Sequence, residues 1–275
     1  MTVAARLHDQ ILCDLEAGVL VLPTLPAVAL RVREVVDDLD ASASDLSDII
    51  VTDPALSAQL IRTVNSPLYR GSEPIDNVQM AVSRLGRNLV RSLVNTMVMK
   101  QMFHPTSRAL QDHFHLLWQT STEVAAASRV LAASQPGIRA EDAMLAGLVH
   151  KIGSLPILAK VEQTPELGEH PALLTELIDT LCARIGTTIL QFWEFPESMI
   201  TAVSEQGNLQ RDVEGAPDLT DVVQAAILQH KVGEGEEEVP SIPAFRKLGI
   251  DPQIQVVELD ENSEAYAEAL ALFKF

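Results

Sequence analysis

Residues 53–69 read DPALSAQLIRTVNSPLY, and this stretch predicts one helix together with both of its ends. Asp53 is a good N-cap because its carboxylate can accept hydrogen bonds from the first free amides of a helix. Pro54 suits the first helical position, where its missing N–H would have no partner. Apolar residues follow on one face at positions 56, 60, 61 and 64. Because Pro67 disfavours helical geometry at Ser66, the helix has to end near Asn65.

The same helical spacing recurs along almost the whole chain. Ser42, with Asp45 three residues later, predicts a capping box at the start of another helix. Helices are predicted over residues 1–18, 27–36, 42–50, 54–65, 78–84, 87–103, 106–134, 140–152, 156–161, 171–183, 185–194, 197–205, 219–229, 243–248 and 263–273. Segment 254–259 is ambiguous between helix and strand, and no β-hairpin pattern is present. We therefore expect an all-α protein.

The composition agrees with packed helices. Hydrophobic residues make up 47% of the chain but aromatic residues only 4%, so the apolar content is mostly Leu, Val, Ala and Ile. A chain of 275 residues can bury a substantial core. We expect an amino-terminal helical subdomain over residues 1–105, a helical bundle over 106–232, and an acidic loop with a short carboxy-terminal extension over 233–275.

Charge and cysteine usage exclude several classes of protein. The formal net charge of −18, from 20 Lys+Arg against 38 Asp+Glu, repels phosphate backbones, so we expect no nucleic-acid binding. Cys13 and Cys182 belong to no Cys-x-x-Cys or Cys/His pattern, so neither a disulfide framework nor a zinc site is expected. No secretory signal is recognisable, and no segment has about 18 apolar residues without a charge. We expect a cytoplasmic protein that does not bind membranes.

Three stretches together resemble the HDOD family, the HD-related output domain of bacterial signalling proteins. They are LPTLPAVAL at residues 22–30, DPALSAQLIRTVNSPLY at residues 53–69, and AVSRLG at residues 81–86 before a long apolar helix. The second stretch is the most specific, and the resemblance covers roughly residues 20–230. It implies an HD-like helical bundle, related to phosphohydrolases whose metal is held by a His, a His-Asp pair and a further Asp.

The resemblance also implies that the metal ligands have been lost. Thr120 stands where an HD enzyme would have its first His, and Lys151 follows His150 where the family's aspartate would be. Cys182 occupies a later position that often carries His, and a His-His pair further along is Glu205-Gln206 here. A cation beside the supposed metal reverses the electrostatics of the site. Since only His150 remains, we predict no catalytic residue, no metal and no cofactor.

The resemblance leaves a candidate ligand pocket formed by His150, Lys151, Thr120 and Cys182. His150 either keeps a ligand-binding role or is a satisfied core histidine. Lys151 either holds a phosphate-bearing ligand in place of the metal, without hydrolysing it, or extends its ammonium to solvent.

A second set of residues is assigned to the family signature or to an interaction surface: Asp53, Pro54, Arg62, Asn65, Ser66, Arg84 and Arg91. Asn65 and Ser66 either line a pocket or simply end a helix. The arginines, with Arg87, either form a local basic patch or pair with acids on a solvated face.

The leading hypothesis is a non-catalytic regulatory module of bacterial signal transduction that binds a separate signalling protein. The expected docking surface is an exposed apolar groove between the two subdomains, beside helix 87–103, with Arg84 and Arg91 as its test residues. One alternative is a residual metal-dependent phosphohydrolase of the HD type that uses His150. Another is a sensor that binds a small-molecule nucleotide in the vestigial site.

Overall fold

The computed structural model describes residues 3–99, 102, 110–163, 171–233, 240–251 and 260–273. Within these ranges the chain consists of helices and their connections, with no β-strand, which confirms the expected all-α fold. Several sequence-based expectations lie outside the described residues: the boundary near 105, the start of the helix at 106, the acidic run 234–238 and the ambiguous segment 254–259.

Six helices form the first part of the chain, and the local signals set their ends. They are α1 (Val3–Glu16), α2 (Ala27–Asp37), α3 (Ala43–Val51), α4 (Pro54–Val64), α5 (Val78–Leu85) and α6 (Arg87–Met99). The predicted capping box is confirmed: Ser42 Oγ accepts from the amide of Asp45, whose carboxylate accepts from the amide of Ser42 at 2.7 Å. Gly86, with φ of 78°, separates α5 from α6, because such a backbone conformation is rarely open to other residues.

Eight helices follow in the rest of the described chain. They are α7 (Gln111–Ala133), α8 (Ala140–Val149), α9 (Ser154–Glu162), α10 (Pro171–Phe192), α11 (Glu197–Ser204), α12 (Leu219–Gly233), α13 (Pro243–Leu248) and α14 (Asp260–Ala271). The two helices expected over 171–183 and 185–194 are in fact one, α10. Its buried residues Leu174, Leu177, Leu181, Ile185 and Ile189 keep helical spacing across the expected break.

The end of α8 also differs from the sequence-based expectation. α8 stops at Val149 rather than near residue 152, and a turn over residues 150–153 leads into α9. This turn carries His150 and Lys151. The HD-like position therefore lies at a helix end, where backbone carbonyls lack partners within the helix.

Helix α6 is the central helix of the amino-terminal half. Helices α2, α4 and α5 of the same half pack against it, and so does α8 of the second half. Its apolar face is buried, with the side chains of Val90, Leu93, Val94, Met97 and Val98 at most 5% exposed. These side chains form core. The docking groove expected beside this helix, between the two subdomains, stays a prediction.

Helices α7 and α8 form the centre of the second half. α12 packs across both of them, α11 contacts α8, α10 and α12, and α9 packs on α10. α14 packs on α7, where Phe273 meets Trp118 edge to face with ring centroids 6.1 Å apart. α1 lies against α10, and Lys160 Nζ reaches Asp14 at 2.7 Å.

One stretch of the described chain, Ala140–Glu162, is long and apolar enough by composition to cross a membrane. It comprises α8, the turn and α9, and 83% of its most apolar window is buried inside the protein. This burial is what a core helix pair of a folded bundle shows.

Candidate functional site

The HD-like centre is the group of side chains around the turn 150–153, namely His150, Lys151, Cys182 and Gln206. Helix α8 leads into this turn and is in close contact with α7. A Cβ on Gly147 would lie 2.7 Å from Ser128 Oγ, 2.8 Å from Ala125 Cα and 2.9 Å from the carbonyl oxygen of Val124. Only glycine allows the two backbones to approach this closely. The contact holds the end of α8, and with it His150, inside the bundle.

His150 is fully buried and is neutral. Its Nδ1 lies 2.6 Å from the carbonyl oxygen of Gly147, so Nδ1 carries the proton and Nε2 is an acceptor. Burial lowers the pKa of His150 to about 3, with further lowering from the proximity of Lys151 and His230. Among the described residues, Nε2 has no hydrogen-bond partner.

Gln206, which the resemblance places with Glu205 where a His-His pair is often found, bonds to the backbone carbonyl of His150. Its Nε2 donates to the carbonyl oxygen of His150 at 2.6 Å and to that of Val203 at 2.9 Å. A neutral amide therefore occupies a place where the resemblance implied metal-binding imidazoles. It closes the end of α8 by satisfying a carbonyl that the helix itself leaves free.

Cys182 belongs to the contact between α9 and α10. Its Sγ lies 3.3 Å from Ser154 Oγ, and both side chains are buried. Burial raises the pKa of the Cys182 thiol, so the sulfur is held as a neutral thiol and not as a metal-binding thiolate. Beside it, a Cβ on Gly153 would lie 2.0 Å from the carbonyl oxygen of Cys182.

The four predicted pocket residues are only partly brought together. Lys151 is half-buried, and its charge lowers the pKa of both His150 and Cys182, so these three share one region around the turn 150–153. Thr120 is half-buried on α7, and in the described structure no hydrogen bond joins it to the other three.

The donor set at this centre does not fit a divalent metal. His150, Lys151, Cys182 and Gln206 provide a neutral imidazole, an ammonium, a protonated thiol and a carboxamide, and none of these four is an anionic ligand, whereas such metals require carboxylates, thiolates or several imidazoles. Across the described ranges, no group of three or more His, Cys, Asp or Glu side chains is placed to hold a metal ion.

The signature stretch 53–69 is ordered by its own polar side chains. Asp53 Oδ1 accepts from the amides of Ala55 and Leu56, both at 3.0 Å, as the N-cap of α4. Asn65 Nδ2 donates to the carbonyl of Ile75 at 2.7 Å, and the amide of Ile75 donates back to Asn65 Oδ1 at 2.8 Å. Asn65 thus fixes the loop that follows α4, which is a structural use of this side chain.

The end of the signature contacts the second half of the protein. Burial raises the pKa of Tyr69 to about 12, and the guanidinium of Arg129 on α7 lies 5.9 Å from its ring centroid. Arg129 in turn lies 3.6 Å from Glu141 on α8. Ser66 and Arg62 line a separate groove of about 300 Å³ between α4 and α14.

The arginines that were grouped from the sequence bond to different partners in different parts of the structure. Arg84 donates to the carbonyl oxygen of Glu73 at 2.9 Å, and Arg87 donates to three backbone carbonyls at the end of α2 and just beyond it. Arg91 pairs with Asp37 at 2.9 Å. They therefore do not form one free basic patch. Arg84 lies in a shallow depression beside Ile75, away from Arg91.

A cleft lies where the amino-terminal half meets α8, α10 and α11. Its cavity has a volume of about 60 Å³. Its lining residues are Leu25, Arg33, Arg91, Ser92, Asn95, Asp142, Leu145, Glu194, Phe195, Pro196, Ser198, Met199 and Leu219. This inter-half cleft lies between the two halves, where the groove was expected, and its lining mixes charged, polar and apolar groups.

Of the polar residues that line the cleft, the sequence indicated only Arg91, and Asn95 and Arg33 are among those that it did not indicate. Asn95 is 7% exposed on the buried face of α6, and its Oδ1 has no hydrogen-bond partner in the described structure. Arg33 donates to the carbonyl of Trp193 and to Glu194 Oε2, the latter at 3.0 Å. Asn95 is one of three polar residues, with Ser92 and Thr96, among the buried and mostly apolar residues of α6, and this was the available signal for it, whereas nothing local marks Arg33.

These features define a protein that is all-helical in its described residues, with a buried centre around the turn 150–153 that offers neutral or cationic groups and no metal-binding cluster. The HDOD domain profile matches residues 22–209, and the chain belongs to the HDOD family.

The chain is also similar to solved structures and to a curated relative. A candidate metal-dependent phosphohydrolase from Shewanella amazonensis SB2B is 29% identical with a TM-score of 0.86, covering 99% of this chain and 100% of that one. A candidate signal transduction protein from Marinobacter aquaeolei VT8 is 24% identical with a TM-score of 0.64, covering 99% and 66%. An uncharacterized protein of Treponema pallidum (strain Nichols) is 23% identical over 265 residues, and the chain spans 51% of that relative's length.

Proposed function

We propose that this HDOD protein is a non-catalytic regulatory module of signal transduction that acts by binding a partner protein. The observation that carries the proposal is the hydrogen bond from Gln206 to the carbonyl of His150, beside the lysine that replaces an aspartate. A centre built this way holds helices together. The name of the Marinobacter neighbour, a candidate signal transduction protein, supports a signalling role.

The absence of hydrolysis is tested by metal content and turnover. We expect the untagged protein, dialysed against trace Mn, Fe, Zn, Ni and Co, to retain far less than one metal ion per chain by elemental mass spectrometry. We also expect no hydrolysis of bis(p-nitrophenyl) phosphate above the protein-free rate. About one or two metal ions per chain with turnover would instead establish the phosphohydrolase alternative.

The nucleotide-sensor alternative is tested with the same samples. If it were right, nucleotides or cyclic dinucleotides would raise the melting temperature, and Lys151→Ala would abolish that shift. We expect no such shift. Gln210→Ala, which shortens an exposed polar side chain, is the control for Lys151→Ala, and any ligand-induced shift should be kept in it.

We propose that the partner docks over the inter-half cleft, beside Arg91. Charge reversal by Arg91→Glu is expected to weaken partner binding, because rim charges set association rates and specificity. Arg84→Glu is the control, since Arg84 lies outside the cleft. A partner held by the wild-type and Arg84→Glu proteins but lost with Arg91→Glu supports this placement. Equal retention by all three contradicts it.

A further inference from the structure

We infer that the inter-half cleft binds a small aliphatic monocarboxylate. This inference goes beyond the proposed function and does not depend on it, because the isolated chain is expected to bind the ligand without any partner. Three kinds of group line the cleft. They are a guanidinium with N–H groups that have no partner, a buried carboxamide, and the uncapped backbone amides at the N-terminus of a helix.

The guanidinium is that of Arg91. Its side chain is 24% exposed, lines the cleft and donates one hydrogen bond, from Nη1 to Asp37 Oδ1 at 2.9 Å. Asp37 is 60% exposed, so it holds Arg91 only weakly. Within the described chain, the other N–H groups of Arg91 have no hydrogen-bond partner. A planar guanidinium with free donors is the side chain that best matches a carboxylate.

The carboxamide is that of Asn95, which lies one helical turn after Arg91 on α6. It is buried and its Oδ1 has no partner among the described residues, which is costly unless a ligand or a water fills the cleft. The amide N and O are interchangeable in assignment, so this side chain can either donate to a carboxylate or accept from a water beside it.

The amino end of α11 forms the opposite wall. Its N-cap is Pro196, which provides no side-chain cap, so the first-turn amides of Glu197 and Ser198 are available. Pro196, Ser198 and Met199 all line the cleft. Free amides at a helix start favour an anion.

The acidic side chains that face the cleft limit the negative charge of the anion that can bind there. Arg33 is paired with Glu194, and Asp142 accepts from Ser92 Oγ at 3.1 Å and lies 3.7 Å from Arg139. The acids therefore offset much of the arginine charge, and a phosphate dianion would meet more repulsion than a monoanion. The deeper lining is apolar, with Leu145, Met199 and Leu219 buried.

The size of the cavity limits the rest of the ligand. A volume of about 60 Å³ corresponds to roughly four to five water-sized groups. A carboxylate with a very short aliphatic chain fills this space, with its oxygens at Arg91 and its carbon chain on the apolar lining. Propionate matches these requirements and is the probe.

The experiment titrates the full chain with propionate and follows ligand signals by saturation-transfer NMR. Propionamide, the neutral isostere, and inorganic phosphate are the comparison probes. We expect saturable propionate binding in the millimolar range or tighter, as befits so few atoms. Propionamide should bind at least about tenfold more weakly, because it lacks the charge that Arg91 recognises.

Two variants locate the site, and a third variant is the control. Arg91→Gln should weaken propionate binding at least about tenfold, whereas Arg31→Gln, an exposed arginine on α2 outside the cleft, should leave it unchanged. Ser198→Tyr places a ring at the exposed mouth of the cleft and should also abolish binding. Unchanged melting temperatures of the variants without ligand show that they are folded.

Several results would overturn the inference. No saturable binding of propionate would mean that the cleft holds only water. Equal binding of propionate and propionamide would remove the role of charge, and unchanged binding to Arg91→Gln would place the ligand elsewhere. Phosphate binding that exceeds propionate binding and requires Arg91 would replace a carboxylate site with a phosphate site.

Discussion

Gln206 and His150 are 56 residues apart, and the side-chain amide of Gln206 donates a 2.6 Å hydrogen bond to the backbone carbonyl of His150. The bond joins the segment after α11 to the end of α8. His150 itself is turned inward, with Nδ1 bound to the carbonyl of Gly147. The resemblance to HD enzymes implied metal-binding imidazoles at these positions. Here they satisfy backbone groups, so the centre contributes to folding.

Removing the Gln206 amide should therefore lower stability. Gln206→Ala leaves the carbonyl of His150 without its partner, and we expect a loss of about 1–3 kcal/mol in the free energy of unfolding. Urea denaturation at neutral pH measures it. The nearby exposed Gln210→Ala should change stability by less than about 0.5 kcal/mol. Equal effects of the two substitutions would show that the bond to His150 contributes nothing.

The buried, neutral state of His150 predicts a pH dependence of stability. Its pKa is about 3 in the folded protein against 6.5 in the unfolded chain, so between these values the unfolded state binds more protons. Stability from this group is fully present above about pH 6.5 and is lost as the pH falls towards 3. Each pH unit in this window costs at most about 1.4 kcal/mol.

The measurement compares urea unfolding at pH 7.5 and pH 5.0. For the wild-type protein, His150 should account for a loss of about 2 kcal/mol between these values. His150→Gln should lack this part of the loss, whereas His115→Gln, at an exposed position, should keep it. If His150→Gln and wild type lose stability in parallel, His150 is not held neutral by the fold.

The sequence predicted local features well and distant contacts poorly, for a physical reason. The caps of α3 and α4 depend on residues two or three apart, and both were correct. The bond from Arg33 to Trp193 joins residues 160 apart, and no local pattern encodes it. Lys151, in place of the aspartate that the resemblance implies, could be read from the sequence because it is a change of residue type, and the loss of ligands that it implies stays a prediction. The cleft at Asn95 was missed because its walls come from separate helices.

The approach of α9 to α10 depends on Gly153. A Cβ there would lie 2.0 Å from the carbonyl oxygen of Cys182 and 2.6 Å from the amide nitrogen of Gly186, so the backbones would have to separate. We expect Gly153→Ala to destabilise the protein by at least about 3 kcal/mol, measured by urea unfolding. Gly207→Ala is the control, because its Cβ would meet nothing within 4 Å. A mild effect at Gly153 would contradict the close packing.

Adjacent lysine and arginine residues on α13 offer a matched test of buried against exposed ion pairs. Lys247 Nζ lies 2.6 Å from Asp221 Oδ2, with the two side chains 7% and 0% exposed. Arg246 pairs with Asp212 at 2.8 Å, with side chains 70% and 48% exposed. Lys247→Met leaves Asp221 buried beside Arg211 alone, 3.6 Å away, and should cost about 3–5 kcal/mol.

The same change at the neighbouring residue, Arg246→Met, should cost at most about 1 kcal/mol because its pair is solvated. Urea unfolding of the two variants gives the comparison directly. Adding Asp221→Asn to Lys247→Met should recover part of the loss, since the unpaired buried charge is then removed. If Lys247→Met were as mild as Arg246→Met, water would have to reach Asp221, and α13 would not hold the start of α12 through this pair.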